Sequence, residues 1–410
     1  MKMTQIKFLF VLTVCVLSLA ACGGGSGGSN SEPAPPPPGG GPGIPPSPIE
    51  PGTVGDGRLF ELVETIRDRH DLPAMGAIIV AQGQIAEQSV SGLRSNSSNV
   101  DVTISDNWHI GSVTKAMTAT LTAVMVEQSL ISWTTTPLDV WPEYAASMHP
   151  QYQSVTIVDL LSHQAGIPTD QGAIPSIALT RDEALGTVIE KRRLWAKELL
   201  ELRPLNPVGT YEYANGGYII VGAMLETITG TKWETLMQDQ LFGPLGMTSS
   251  GFGAPGTLGQ LDQPWGHREQ GGSLVAIPPG PEADNSAAIG PAGTVHLTMS
   301  DYAKFMFAHL EGERGIPGLV SAETFQFLHQ PVRNSSYALG WSVDVGHAWA
   351  DGPLLFHLGS NLRWLANAGI VPGLNTGLII VTNAANDDAY DASDELAELL
   401  LNRILNTNSQ

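Results

Sequence analysis

Ser112 and Lys115, in the stretch "GSVTKAM", stand three residues apart at the start of an apolar run. A serine hydroxyl is a poor nucleophile until a base takes its proton. Residues i and i+3 of a helix share a face, so an amine at 115 can reach a hydroxyl at 112. Of the lysines in the chain, only Lys115 has a serine three positions before it. The wider stretch "WHIGSVTKAM" places Ser112 at a helix N-terminus, where backbone N–H groups and the helix dipole favour developing negative charge. By residue type alone the pair also fits a helix N-cap followed by a solvated lysine. Residues further along decide between the two.

Tyr213-Ala214-Asn215, in "YEYANGGY", is the only Tyr-x-Asn in the chain. A tyrosine beside a cationic lysine has its phenolate form favoured, so it can take a proton from serine and return one to a leaving group. The amide of Asn215 can orient both the lysine and a substrate carbonyl. "ANGG" is also strong turn chemistry. Downstream of Ser112 there is one His-x-Gly, His357-Leu358-Gly359 in "FHLGS". A glycine in a strand lets a ligand approach the backbone, and the N–H of the next residue, Ser360, can then form an oxyanion hole with the N–H of Ser112. A lone strand histidine is otherwise a core residue with its polar atoms satisfied.

These residues need elements to hold them. "GRLFELVETIRDRH" has apolar residues at helical spacing, and "AMGAIIVAQGQIAEQSVSGLRS" reads as two strands broken at "QGQ". A helical middle follows, in "KAMTATLTAVMVEQSL", "TIVDLLSH", "RDEALGTVIEKRRLWAKELLEL", "GGYIIVGAMLETITG" and "WETLMQDQLF". Strand character returns in "YALGWSVDV", "LLFHLG", "LRWLANAGIV" and "TGLIIVTN", before a last helix, "DASDELAELLLNRIL". Strands at both ends with helices between predict one antiparallel sheet built from both termini, flanked by helices, with a helical region inserted. "PTDQGAIPSIALT" and the stretch from Gly251 to Ala288 read as long loops bordering the site.

The N-terminus has a separate role. Residues 1–21 carry two lysines and then an apolar run, the layout of a secretory signal and too short for a membrane span. "LAAC" resembles the lipobox of bacterial lipoproteins, which implies that Cys22 is acylated and becomes the first mature residue. Residues 22–53, rich in Gly, Ser and Pro, read as a tether, and residues 54–410 as the folded domain. Cys15 falls in the removed segment, so no disulfide framework is expected. The formal charge of −20 becomes −22 without Lys2 and Lys7, which disfavours nucleic acid and anionic membrane surfaces as partners.

In their order, roughly 100 and then 140 residues apart, Ser-x-x-Lys, Tyr-x-Asn and His-x-Gly resemble the three motifs of the serine β-lactamase and penicillin-binding-protein superfamily. The likeness is closest to its class C and "β-lactamase-related" serine hydrolase branch. "LLSHQAGIP", "LFGPLGMTSSGF" and "GPAGTVHLTMSDYAKF" resemble further stretches of that branch. The resemblance spans residues 56–405 and implies an α/β (α+β) fold of the β-lactamase/transpeptidase type.

It further implies that Ser112 is the acylated nucleophile, Lys115 and Tyr213 the proton-handling pair and Asn215 a positioning residue. His357 would be an electrophilic or anion-attracting residue, and the N–H groups of Ser112 and Ser360 the oxyanion hole. The chemistry is hydrolysis of a small-molecule or peptide ester or amide through an acyl-serine, with no cofactor. No His-x-His or His-Glu-x-x-His spacing supports a zinc site. The departure is Leu358, where β-lactamases and D-Ala-D-Ala peptidases of the superfamily carry a hydroxyl that helps hold a substrate carboxylate. Substrate contacts are assigned to Gly359, Leu358 and Arg363. An esterase, peptidase or amidase at the cell envelope is therefore expected first. A D-Ala-D-Ala-type peptidase or weak β-lactamase comes second, and a non-catalytic penicillin-binding lipoprotein third. Oligomeric state is not legible.

Overall fold

The apolar runs at the two ends of the chain meet in a single antiparallel sheet. The computed structural model describes residues 49–169 and 186–409. In it, β1 (Ala74–Ala81) and β2 (Gln84–Gly92) form a hairpin whose turn residues Gln82 and Gly83 both take positive φ, 53° and 76°. That conformation matches the twist of the flanking strands. From the far end of the chain come β8 (Ser342–Asp344), β9 (Leu354–Ser360), β10 (Leu365–Val371) and β11 (Thr376–Thr382). β11 lies against β1 with Ile78 opposite Ile379, and the sheet order is β2-β1-β11-β10-β9-β8. Both faces of β10 and β11 are buried, which is why they read as continuous apolar runs rather than as alternation.

Helix α1 (Leu59–Arg69) buries Leu59, Leu62, Val63 and Ile66, one stripe at helical spacing, and packs with the C-terminal helix (Asp387–Asn408). At the centre stands α2 (Thr114–Glu127), buried on every side from Thr114 to Met125. A helix buried all round cannot leave its polar side chains to water. Accordingly, Thr120 and Thr122 bond back to the carbonyls of Ala116 and Thr118, while Thr118 donates to the carbonyl of Pro291 at 2.7 Å. The helical region continues through α3 (Ile157–Leu161), α4 (Val188–Glu201) and α5 (Asn215–Thr229). α4 starts at Val188 because Thr187 and Glu190 form a capping box. Residues 181–185, expected to begin that helix, lie outside the described residues, as do the segment 170–180 and the N-terminal stretch with Cys22. Among the described residues, no helix is long and apolar enough to cross a membrane.

The stretch from Gly251 to Ala288 is not simply a loop. It holds β4 (Gly251–Phe252) and a hairpin of β5 (Gly266–Gln270) and β6 (Ser273–Ile277), turned by Gly271 and Gly272 at φ 59° and 79°. β4 pairs with β7 (Val295–Thr298), which also pairs with β3 (Asn107–His109), making a small sheet beside the start of α2.

The main sheet and α2 meet through two glycines. A Cβ on Gly359 in β9 would stand 2.1 Å from the carbonyl oxygen of Ile110 and 2.7 Å from the amide nitrogens of Ser112 and Val113. A Cβ on Gly111 would stand 2.3 Å from the amide nitrogen of Ser360, and Gly111 takes φ +49°. Backbone touches backbone, so there is no flexible side chain to move aside. Gly359→Ala is expected to destabilise the protein by on the order of 3 kcal/mol, the range of overpacking in a rigid site. Calorimetric unfolding beside wild type measures it.

Candidate active site

The contact between β9 and the turn before α2 sets the position of Ser112. Gly111–Val113 form one 3-10 turn, which runs into α2 at Thr114. Ser112 thus precedes the α-helix by one turn, and Lys115 lies within the helix's first turn. Lys115 has no exposed surface, and its Nζ lies 2.9 Å from Ser112 Oγ, 2.7 Å from Asn215 Oδ1 and 2.7 Å from the carbonyl oxygen of Ala292. A buried amine is tolerated when its donors are satisfied. The amide oxygen of Asn215 and the carbonyl of Ala292 each accept from the amine, which also reaches Ser112.

Asn215 opens α5. The glycines after it do not form the turn their type suggests. A Cβ on Gly217 would stand 2.4 Å from the carbonyl oxygen of Leu160, and one on Gly216 would stand 2.6 Å from Ile167. They are the flat side of α5 against which α3 and the segment after it lie. Tyr213 stands two residues before the helix, next to the extended Ala214, with its ring centroid 4.9 Å from Lys115 Nζ and Tyr218 at 5.5 Å, within cation–π range.

His163 grips the backbone on either side of Tyr213. Its carbonyl accepts the N–H of Glu212 at 2.9 Å, and its Nδ1 accepts the N–H of Ala214 at 3.2 Å. The residue takes φ +59°, and its ring lies tilted against that of Tyr213, with centroids 4.3 Å apart. Burial, with the charge of Lys115 adding to it, lowers its pKa well below the ordinary imidazole value. The neutral ring is the state that keeps Nδ1 as an acceptor. His163 sits in "LLSHQAGIP" and Ala292 in "GPAGTV", stretches that carried the resemblance but were given no role. Nothing local in the sequence pointed to Tyr337, whose hydroxyl lies 2.9 Å from His357 Nε2.

Both ring nitrogens of His357 are held by hydrogen bonds. Its Nδ1 lies 2.6 Å from the carbonyl oxygen of Leu358, so that nitrogen carries the hydrogen and Nε2 accepts from Tyr337. Burial first, and then the charge of Lys115, push its pKa down to about 3. It is therefore an uncharged ring within the β-sheet and not a cation facing a substrate anion. Arg363 is buried, and its Nη1 donates to the carbonyl of Asn361 at 3.0 Å, within its own turn. Leu358 and Ser360 are half-buried and Gly359 fully buried, on the strand that meets the Ser112 turn. The structure thus gathers Ser112, Lys115, Tyr213, Asn215 and the strand 357–360, with Arg363 buried in the turn after that strand. Among the described residues no group of acidic, histidine or cysteine side chains could hold a metal ion.

An unfolded histidine titrates near 6.5. His357 and His163 have folded values below that, so their stabilising effect is complete above pH 6.5 and is lost as pH falls, because the unfolded chain then binds the extra protons. Each costs about 1.4 kcal/mol per pH unit in that window. Urea unfolding of the purified protein at pH values between 7.5 and 4.5 is expected to show this loss. His357→Gln should make the slope shallower by about one proton's worth, and an unchanged slope would mean that His357 is charged in the fold.

Residues 59–403 match the family model described as Beta-lactamase. Penicillin-binding protein 4 of Amycolatopsis lactamdurans is 29% identical over 354 residues, 83% of this chain and 88% of that protein. Unguisins hydrolase ungD' of Aspergillus campestris (strain IBT 28561) is 26% identical over 351 residues, 82% of this chain but 63% of its own length. Among solved structures, the octameric penicillin-binding protein homologue from Pyrococcus abyssi superposes with a TM-score of 0.68 at 22% identity, covering 85% of this chain and 78% of that one. SurE superposes with a TM-score of 0.66 at 23% identity, covering 85% and 75%. These two structures share the mixed helix and antiparallel-sheet fold.

Proposed function

The chain belongs to the beta-lactamase family, whose function is of the serine-hydrolase and penicillin-binding type, and from that premise we propose that it hydrolyses an ester or amide through an acyl-serine on Ser112. One observation carries the reading: a fully buried lysine amine 2.9 Å from the serine oxygen, aimed by Asn215 and the Ala292 carbonyl. Such a pair has little structural use at that place, since a serine could cap the same helix with the lysine left in water at less cost.

In the proposed reaction the Ser112 proton passes to Lys115 or Tyr213 as Oγ bonds to the carbonyl carbon. The carbonyl electrons move to oxygen, which the N–H groups of Ser112 and Ser360 receive. On collapse the leaving alkoxide or amine takes the proton back, and water then releases the acid from the serine with the same pair as base. Asn215 keeps the lysine aimed throughout. His357 is neutral and adds no positive charge at the centre.

Leu358 favours substrates without a carboxylate beside the scissile bond. A site lacking a polar partner for that group gains nothing from it and leaves it desolvated. The likeness to a penicillin-binding protein keeps a D-Ala-D-Ala peptide or β-lactam as the second substrate reading. We place the enzyme at the cell envelope, held by lipid on Cys22 and the tether after it. The Gly/Ser/Pro composition of residues 23–53 supports this placement.

Ser112→Ala is expected to lower kcat on p-nitrophenyl acyl esters by on the order of 10³-fold or more and to abolish fluorophosphonate labelling. Turnover that survives the substitution would remove Ser112 as nucleophile. Leu358→Thr should raise the acylation rate by a fluorescent penicillin about tenfold, the worth of one hydrogen bond, with ester turnover within a few-fold of wild type. Unchanged penicillin acylation would show that Leu358 does not set the preference.

A further inference from the structure

The two segments that carry the proposed oxyanion N–H groups hang from a single buried carboxylate, which neither the sequence motifs nor the known family stretches single out. Asp284 is 6% exposed and sits in the segment between β6 and β7. Its Oδ2 lies 3.0 Å from His109 Nε2, and its Oδ1 accepts from Asn361 Nδ2 at 2.9 Å and from the N–H of Asn285 at 2.7 Å.

His109 reaches the Ser112 side. It is fully buried at the end of β3, and its Nδ1 accepts the N–H of Gly111 at 3.1 Å. A backbone N–H can only donate, so Nδ1 is the acceptor and the ring hydrogen sits on Nε2, facing Asp284. Trp364 stacks on the ring at 5.7 Å and holds its plane. Asn361 reaches the Ser360 side, being the next residue in the chain. Its amide nitrogen faces Asp284 and the carbonyl of Ala283, at 2.9 and 3.3 Å. Its amide oxygen accepts the N–H groups of Arg363 and Trp364, both at 3.1 Å, and so fixes the turn between β9 and β10.

We propose that Asp284 is the positioning residue of the oxyanion hole: its two oxygens set the distance between the Gly111-Ser112 turn and the Gly359-Ser360 strand end. This rests on the acyl-serine reading given above. Gly111 and Gly359 let the two segments touch, but contact alone leaves them free to slide along each other. The carboxylate, bound by one donor from each segment, removes that freedom. A hole that stabilises an oxyanion must already be formed when charge develops, so small displacements cost rate rather than binding. An amide cannot replace the carboxylate. Whichever way it is turned, its NH2 faces either His109 Nε2–H or the donors of Asn361 and Asn285. Should His109 move its hydrogen to Nδ1 to accommodate the amide, it would lose Gly111.

The test is Asp284→Asn in the purified protein, with active sites counted by fluorophosphonate burst. The expected result is kcat on a p-nitrophenyl ester lower by roughly 30- to 100-fold, with KM within about twofold of wild type. A purely structural role would lower the unfolding temperature and the burst amplitude but leave kcat per active site unchanged, and that result overturns the proposal. Asn361→Ala reads the same tie from the other segment if Asp284→Asn does not fold, with the same kcat-over-KM split expected and an unchanged kcat overturning it. Where both fold, the double variant should be no slower than the worse single one, because the two act as a unit, and additive losses would overturn it. Ser112→Ala separates the two readings. If it retains turnover, the acyl-serine reading falls and this inference with it. If it abolishes turnover while Asp284→Asn leaves kcat intact, only the role of Asp284 falls.

Discussion

A lysine amine with no access to water is the constraint on which the rest of this structure depends. Burying it is costly unless oxygens surround it. Oxygens at Lys115 include Ser112 Oγ in the turn before its own helix, Asn215 Oδ1 at the start of α5 and the Ala292 carbonyl in the segment before β7. Moving any of them withdraws an acceptor from a buried amine. The need for acceptors thus pins the nucleophile, a second helix and a loop to one point. The surrounding aromatic rings, Tyr213 and Tyr218, exclude water and present π faces to the amine.

A second layer holds that arrangement by hydrogen bonds to backbone. His163 takes the N–H groups on both sides of Tyr213, His109 takes that of Gly111, and Asn361 takes two in the turn after Ser360. Each bond fixes a short irregular segment that no helix or strand ladder would hold. His163 and His109 do this only through an unprotonated Nδ1, so the site's geometry is tied to neutral imidazoles. His357 is neutral as well, held between Tyr337 and the Leu358 carbonyl, which makes it a part of the scaffold.

Elements with strong periodicity or continuous apolar runs were legible in the sequence: α1, the β1-β2 hairpin, α2, α5, β9 to β11 and the C-terminal helix. The small sheet of β3, β7 and β4 was not, because its strands are two to four residues long and carry no period to read. The β5-β6 hairpin was passed over although Gly271-Gly272 is a hairpin signal, since its strands are mostly exposed and mixed in character. The chemistry of Ser112, Lys115, Tyr213 and Asn215 was visible as spacing and residue type. The surroundings of His357 were not legible, because they depend on burial and on Tyr337, twenty positions away. Those of Arg363 were not, because only the folded turn shows its guanidinium bonded to Asn361.

The sequence by itself determined the reactive pair, since three residues of helix bring a serine and a lysine together wherever the helix lies, and it determined the sheet, since apolar runs at both ends can be buried only against each other. Tertiary structure decided what surrounds that pair. Which carbonyl receives the lysine, which histidines stay neutral and which carboxylate joins Gly111 to Ser360 depend on residues far apart in the chain. Burial and hydrogen-bond partners are set by distance in space, and residue order does not record that distance until the chain is folded.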